Sequence, residues 1–128
     1  MVTLNMKPLA TRSEDYLEII YNMSREHGHA HSVDIAKTLG VSKPTVFNAL
    51  QTLIEQGFVI KQAYGDVTLT DKGKSYARDV IKKHDAVKKL LVDTLKVSPE
   101  QAEIDACKIE HCLSEETTKK LFEYLGNI

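Results

Sequence analysis

Cys107, Glu110 and His111 stand at i, i+3 and i+4 in the segment CKIEHC. On an α-helix that spacing stacks a thiol, a carboxylate and an imidazole on one face, a turn apart. These groups bind divalent transition metals, sulfur and nitrogen suiting softer ions and carboxylate oxygen harder ones. Two further donor groups lie upstream: Asp15 and Glu18, an i, i+3 carboxylate pair in SEDYLE, and His84 in KKHDAVKK. Each has a plainer account when taken singly. A helical cysteine is often a small core residue, a lone histidine is often structural, and Asp15 and Glu18 would favour the positive end of a helix. Cys107 and Cys112 are too close on one helix for an unstrained disulfide, so free thiols or ligands are expected. His27, His29 and His31 are expected as surface histidines of a loop.

The elements that must position these groups follow from apolar spacing and cap residues. Leu17 and Ile20 recur at helical spacing from Ser13 to about Glu26, and His27-Gly28 ends the run. A short loop, GHAH, leads to Ser32, expected to cap a helix with Ile35, Ala36 and Leu39 on one face and Gly40 as its stop. Ser42 caps the next helix, Pro44 occupies its first turn, and Val46, Leu50, Leu53 and Ile54 form its buried stripe before Gly57. FVIKQ, AYGD and VTLT then predict a hairpin. Thr70 or Asp71 caps a long helix from about Lys72 to Leu95, Ser98-Pro99-Glu100 starts the helix bearing CKIEHC, and Ser114-Glu115-Glu116 starts a last one. Residues 1–10 are expected to be a flexible arm.

Two helices joined by a tight glycine turn and followed by a hairpin form a winged helix-turn-helix. The fold class expected is therefore mainly α, with a winged helix-turn-helix DNA-binding domain over 1–72 and a helical domain over 73–128. In such a unit the N-terminal residues of the second helix meet bases or phosphates. Here these are Ser42, Lys43, Pro44, Thr45 and Asn48, with Lys37, Lys61, Lys72 and Lys74 as phosphate contacts. Charge agrees in sign. Residues 1–83 carry 11 Lys and Arg against 9 Asp and Glu, whereas 84–128 carry 6 against 9, so the weakly basic half is the one with the reading element. No run approaches the ~20 apolar residues of a membrane span, and the N-terminus lacks the apolar run of a signal peptide. A cytoplasmic protein without a membrane partner is expected.

The order SEDYLEIIY, winged helix, VIKKHDAVKKLL and CKIEHCLSEE resembles the diphtheria toxin repressor family of metal-dependent regulators, over about Ser13 to Leu125. The resemblance implies Asp15, Glu18, His84, Cys107, Glu110 and His111 as metal ligands, with Ser42, Pro44, Thr45 and Asn48 facing DNA. It implies a homodimer paired through the helices after Leu95, and a palindromic operator near metal-uptake genes. Iron-responsive relatives carry methionine at the position of Asp15, and manganese-responsive relatives carry glutamate at that of Cys107. Lys88 replaces an acid of the iron branch's second site. The cofactor expected is Mn²⁺ or Fe²⁺. The sequence leaves open whether Glu103 or Cys112 joins the ligands.

The function expected is that of a metal-activated DNA-binding repressor of metal-homeostasis genes, in which a bound ion ties the DNA-reading half to the dimer half and sets the spacing of two recognition helices. The rival is a metal-independent winged-helix regulator with a redox or small-ligand sensor. A metal hydrolase would need a general base beyond the ligands already claimed and would leave the helix-turn-helix idle. No enzymatic activity and no organic substrate are expected.

Overall fold

The computed structural model describes residues 11–126; the arm expected over 1–10 lies outside them. The chain divides into two compact units between Ala77 and Arg78.

The first unit opens with α1 (Thr11–His27), followed by β1 (Ala30–His31), α2 (Ser32–Leu39), α3 (Lys43–Glu55), β2 (Val59–Lys61), a 3₁₀ turn (Ala63–Gly65), β3 (Asp66–Leu69) and the start of α4 (Asp71–Lys89). Its core combines Leu17 and Ile20 of α1, Ile35 of α2, Val46, Leu50 and Leu53 of α3, and Val59, Val67 and Leu69 of the strands. Gly40 closes α2 in the left-handed region at φ 67°, which turns the chain sharply towards α3 at no steric cost. Ser42 caps α3 as expected, its Oγ accepting from the Thr45 amide at 3.3 Å.

Two expectations are corrected here. GHAH is not wholly a loop, because Ala30 and His31 pair with Val67 and Asp66 of β3. The sheet therefore has three strands in the order β1-β3-β2. Ser32 is not the cap of α2 but its first residue. His31 holds the cap position in extended conformation without a side-chain cap bond. Strand pairing fixes its backbone, and its Nδ1 lies 2.8 Å from Asp66 Oδ1, so His31 is a strand residue with a fixed partner.

The hairpin expected after α3 is present, with Val59 opposite Leu69 and Lys61 opposite Val67. Of the two caps considered for α4, Thr70 serves: its Oγ1 accepts from the Gly73 amide at 3.0 Å and donates to the Gly57 carbonyl at 2.7 Å. Gly73 is required by close approach, since a Cβ there would lie 2.1 Å from the Phe58 carbonyl oxygen. Tyr76 packs edge-on against Phe58 and donates its hydroxyl proton to the buried Glu14 of α1.

The second unit holds the rest of α4, a π-helical turn (Leu90–Thr94), α5 (Pro99–Ile109) and α6 (Glu115–Tyr124). The long helix does not run regularly to Leu95. It widens after Lys89: the Leu95 amide reaches back to Leu90 and that of Val97 to Leu91, with Lys96 in the left-handed region at φ 60°. This wide turn releases the chain. Ser98 and Ser114 cap α5 and α6 as expected, accepting from the amides of Gln101 and Thr117. Val80, Val87, Ala102, Ala106 and Phe122 are buried, and the Lys82 ammonium lies over the Phe122 ring.

α5 ends earlier than CKIEHC suggested. Glu110 is its C-cap residue, and His111 and Cys112 lie in the following turn. There the Cys112 amide bonds to the Ile109 carbonyl at 2.9 Å, an i→i−3 contact that tightens the backbone before α6 begins. The regular helix thus ends at Ile109, with Glu110 still in helical conformation as its cap. Among the described residues no helix is long and apolar enough to cross a membrane.

Candidate metal centre and nucleic-acid face

In the second unit, His84 of α4, Cys107 of α5 and Glu110 at the end of α5 each bring one donor atom within 4.8 Å of the others. The spacing on α5 makes this possible, because Cys107 and Glu110 are a turn apart and face His84 together. Glu110 is fully buried, the His84 side chain is 12% exposed, and Cys107 is open to solvent. A carboxylate without solvent is costly unless positive charge faces it. Here His84 does so, with Nδ1 3.5 Å from Oε2, and His111 Nε2 also lies 3.6 Å from Oε1. His111 thus stands directly beside Glu110.

His84 is held from two sides. Its Nε2–H donates to Glu103 Oε2 at 2.9 Å, while the buried Nδ1 makes no hydrogen bond and points across 3.5 Å to Glu110. The Glu110 carboxylate is the largest cause of a pKa raised to about 9; burial opposes the shift and Glu103 adds to it. Glu103 is in turn fixed by Lys88, whose ammonium lies 3.0 Å from Oε1. Lys88 is the main reason that the Glu103 carboxyl titrates below its usual range, with His84 adding to the effect. The Cys107 thiol lies 3.7 Å from Glu103 Oε2. Cys112 is exposed, with its sulfur at the Lys108 carbonyl, and does not belong to the donor trio.

These residues fit a divalent cation. Nitrogen, sulfur and oxygen donors converge, one of them is a buried carboxylate, and a buried imidazole nitrogen next to it lacks a hydrogen bond. In the first unit, Asp15 and Glu18 lie one turn apart on α1, both half-buried.

The second helix of the helix-turn-helix presents Ser42, Lys43, Pro44, Thr45 and Asn48 to solvent, and Lys37 and Lys61 are exposed as well. Ser42 Oγ also lies 2.8 Å from Thr45 Oγ1, so the cap fixes the rotamer of a residue on the reading face. Lys72 does not have the free ammonium expected of a phosphate contact. It donates to the Gln56 carbonyl at 2.9 Å and lies over the Phe58 ring.

Sequence reasoning passed over Phe47. It is 55% exposed on α3 and carries the Lys61 ammonium 5.3 Å above its ring. An apolar residue one place after the buried Val46, outside the stripe, was the signal. It also left open whether Glu103 joins the ligands and did not foresee its ion pair with Lys88, although Lys88 follows His84, and Glu103 precedes Cys107, by one helical turn.

Comparison with known proteins bears on both halves. Residues 8–67 match the profile of the iron-dependent repressor N-terminal DNA-binding domain, and residues 70–128 that of the iron-dependent repressor metal-binding and dimerisation domain. An uncharacterised HTH-type transcriptional regulator of Methanocaldococcus jannaschii is 36% identical over 109 residues, covering 84% of this chain and 87% of that protein. The transcriptional regulator MntR of Escherichia coli is 41% identical over 104 residues, 81% of this chain and 66% of its own length. The solved structure of the manganese regulator SloR superposes with a TM-score of 0.79 at 28% identity, over 96% of this chain. This chain spans 56% of SloR's length.

Proposed function

Since the chain belongs to the iron-dependent repressor family, we propose that it is a metal-activated DNA-binding transcriptional repressor that controls metal-homeostasis genes in response to Mn²⁺ or Fe²⁺. The observation that carries the proposal is the convergence of His84, Cys107 and Glu110 around a buried carboxylate, in a chain that also presents an open recognition helix. We assign these three residues as ligands on that ground. Asp15, Glu18 and His111 are assigned on the family resemblance, and for His111 also on its place beside Glu110.

The division of labour proposed is a DNA-reading domain over 1–72 and a metal-binding, dimerising domain over 73–128. The partners are double-stranded DNA and a second copy of the chain. A two-fold dimer carries two recognition helices, so a palindromic operator follows from symmetry. Ser42, Lys43, Pro44, Thr45 and Asn48 would meet the duplex, with Lys37 and Lys61 on phosphates. The chain is not an enzyme on this reading, needs no organic substrate, and works in the cytoplasm, where the DNA is.

A divalent ion supplies positive charge to a cluster of acids and fixes the separation of its ligands. Glu110 and the Cys107 thiolate provide negative donors, and His84 provides a neutral nitrogen once its proton has left. A ligand shifts a conformational equilibrium only by its differential affinity. The ion would therefore favour the arrangement in which its ligands converge, and DNA binding would follow metal occupancy. A gel-shift titration under anaerobic, reducing conditions tests this. Tight binding is expected with Mn²⁺ or Fe²⁺ and weak binding with excess chelator; equal binding in both would sink the switch.

A further inference from the structure

Two residues outside the donor trio stand against the proposed centre. Glu103 lies on α5 one turn before Cys107, and Lys88 lies on α4 one turn after His84. Both oxygens of Glu103 are engaged: Oε2 accepts from His84 Nε2 at 2.9 Å, and Oε1 faces the Lys88 ammonium at 3.0 Å. The other ring nitrogen of His84, Nδ1, is buried and aimed at Glu110.

We propose that Glu103, anchored by Lys88, is a positioning residue of the metal centre: it holds His84 by Nε2–H and so presents Nδ1, beside Glu110, to the ion. This rests on the metal-sensor reading above and deepens it.

Three physical arguments support the assignment. An imidazole has two chemically different nitrogens, and the hydrogen bond made by one decides which the other offers to a metal. Glu103 supplies that bond through a carboxylate, the strongest neutral-pH acceptor available, in a charge-assisted geometry. Lys88 explains why Glu103 does not itself join the ion. Its ammonium already neutralises the carboxylate, and the Glu103 side chain is 48% exposed, whereas Glu110 is fully enclosed. A second cation drawn to Glu103 would have to approach Lys88 at close range, where like charges repel. The centre thus has a fixed positive charge on its outer side, and its binding direction is towards Glu110.

The test uses the full chain, freed of metal and reduced. Calorimetry with Mn²⁺ is expected to show Glu103→Ala binding about 10–100-fold more weakly than wild type, the usual cost of losing an outer-sphere partner of a ligating histidine. Glu103→Gln is expected to recover most of that loss, because its amide oxygen can still accept from Nε2. A carboxylate ligand would not be rescued in this way, so a Gln variant as weak as the Ala variant overturns the proposal. The second readout does not depend on affinity. In a two-bond ¹H–¹⁵N spectrum of wild type loaded with Zn²⁺, the His84 ring is expected to be metal-bound at Nδ1 and protonated at Nε2. Binding at Nε2 overturns the proposal even if Glu103→Ala fails to fold. If wild type takes up no metal at all, the functional reading falls and this inference with it. If wild type binds and Glu103→Ala binds equally well, only the positioning role falls.

Discussion

Replacing His84 by glutamine should change the pH dependence of stability in the metal-free protein. The His84 pKa is raised from 6.5 to about 9 in the fold. A raised pKa means the folded state holds its proton more tightly than the unfolded chain. The resulting stabilisation is fully present below about pH 6.5, where both states are protonated. It declines as pH rises and is gone once the folded imidazole also deprotonates, above about 9. The span of the shift corresponds to roughly 3 kcal/mol as an upper figure. The side chain is only 12% exposed, so solvent screening removes little of it. Urea denaturation of reduced, chelator-treated protein at one fixed protomer concentration would read the effect. At pH 6 His84→Gln should be less stable than wild type by a few kcal/mol, approaching the ~3 kcal/mol limit. At pH 9.5 most of that gap should have closed. Groups that do not touch His84 titrate alike in both proteins and cancel in the comparison. A gap of equal size at both pH values would refute the idea that protonated His84 balances the buried Glu110.

Three further predictions follow from other parts of the molecule. Glu110→Ala should lower Mn²⁺ affinity by more than the roughly 10–100-fold that outer partners account for, measured by calorimetry, and should also lower the His84 pKa, whose largest support is removed. Gly73→Ala should destabilise the first unit by about 3 kcal/mol or more, since the new methyl would meet the Phe58 carbonyl oxygen at 2.1 Å; a thermal melt unchanged from wild type would contradict the close approach. Asn48→Ala should cost about 1–3 kcal/mol on a selected operator duplex and relax preference at one base pair, whereas Lys43→Ala should weaken all duplexes alike and reduce the salt slope by about one, both by fluorescence anisotropy.

The order of elements was legible because its signals are local. Ser42, Ser98 and Ser114 announce helix starts through a hydroxyl placed three residues before an amide, and all three make that bond. What escaped depends on partners distant in sequence. Ala30 and His31 carry no strand signal of their own and become a strand because Val67 and Asp66 offer a free edge. The widening after Lys89 shows no glycine or proline to mark it. For the metal centre, Cys107 and Glu110 come together as their spacing suggested, but that His84 of α4 joins them depends on helix packing that spacing along one helix does not show. The sequence left open whether Glu103 joins the ligands; its place between the His84 imidazole and the Lys88 ammonium became visible only when α4 and α5 came together.

The strand order β1-β3-β2 has a consequence for how the chain behaves at high concentration. Its longest strand, the four-residue β3, is covered on both sides, and among the described residues the edge strands are the two-residue β1 and the three-residue β2. Edges so short offer few unpaired amides and carbonyls to a neighbouring chain, and β2 ends in Lys61, a charge that resists stacking. The sheet is therefore a poor template for strand addition or fibril growth. That leaves self-association to side-chain surfaces, which can be matched one to one, rather than to backbone edges, which extend without limit.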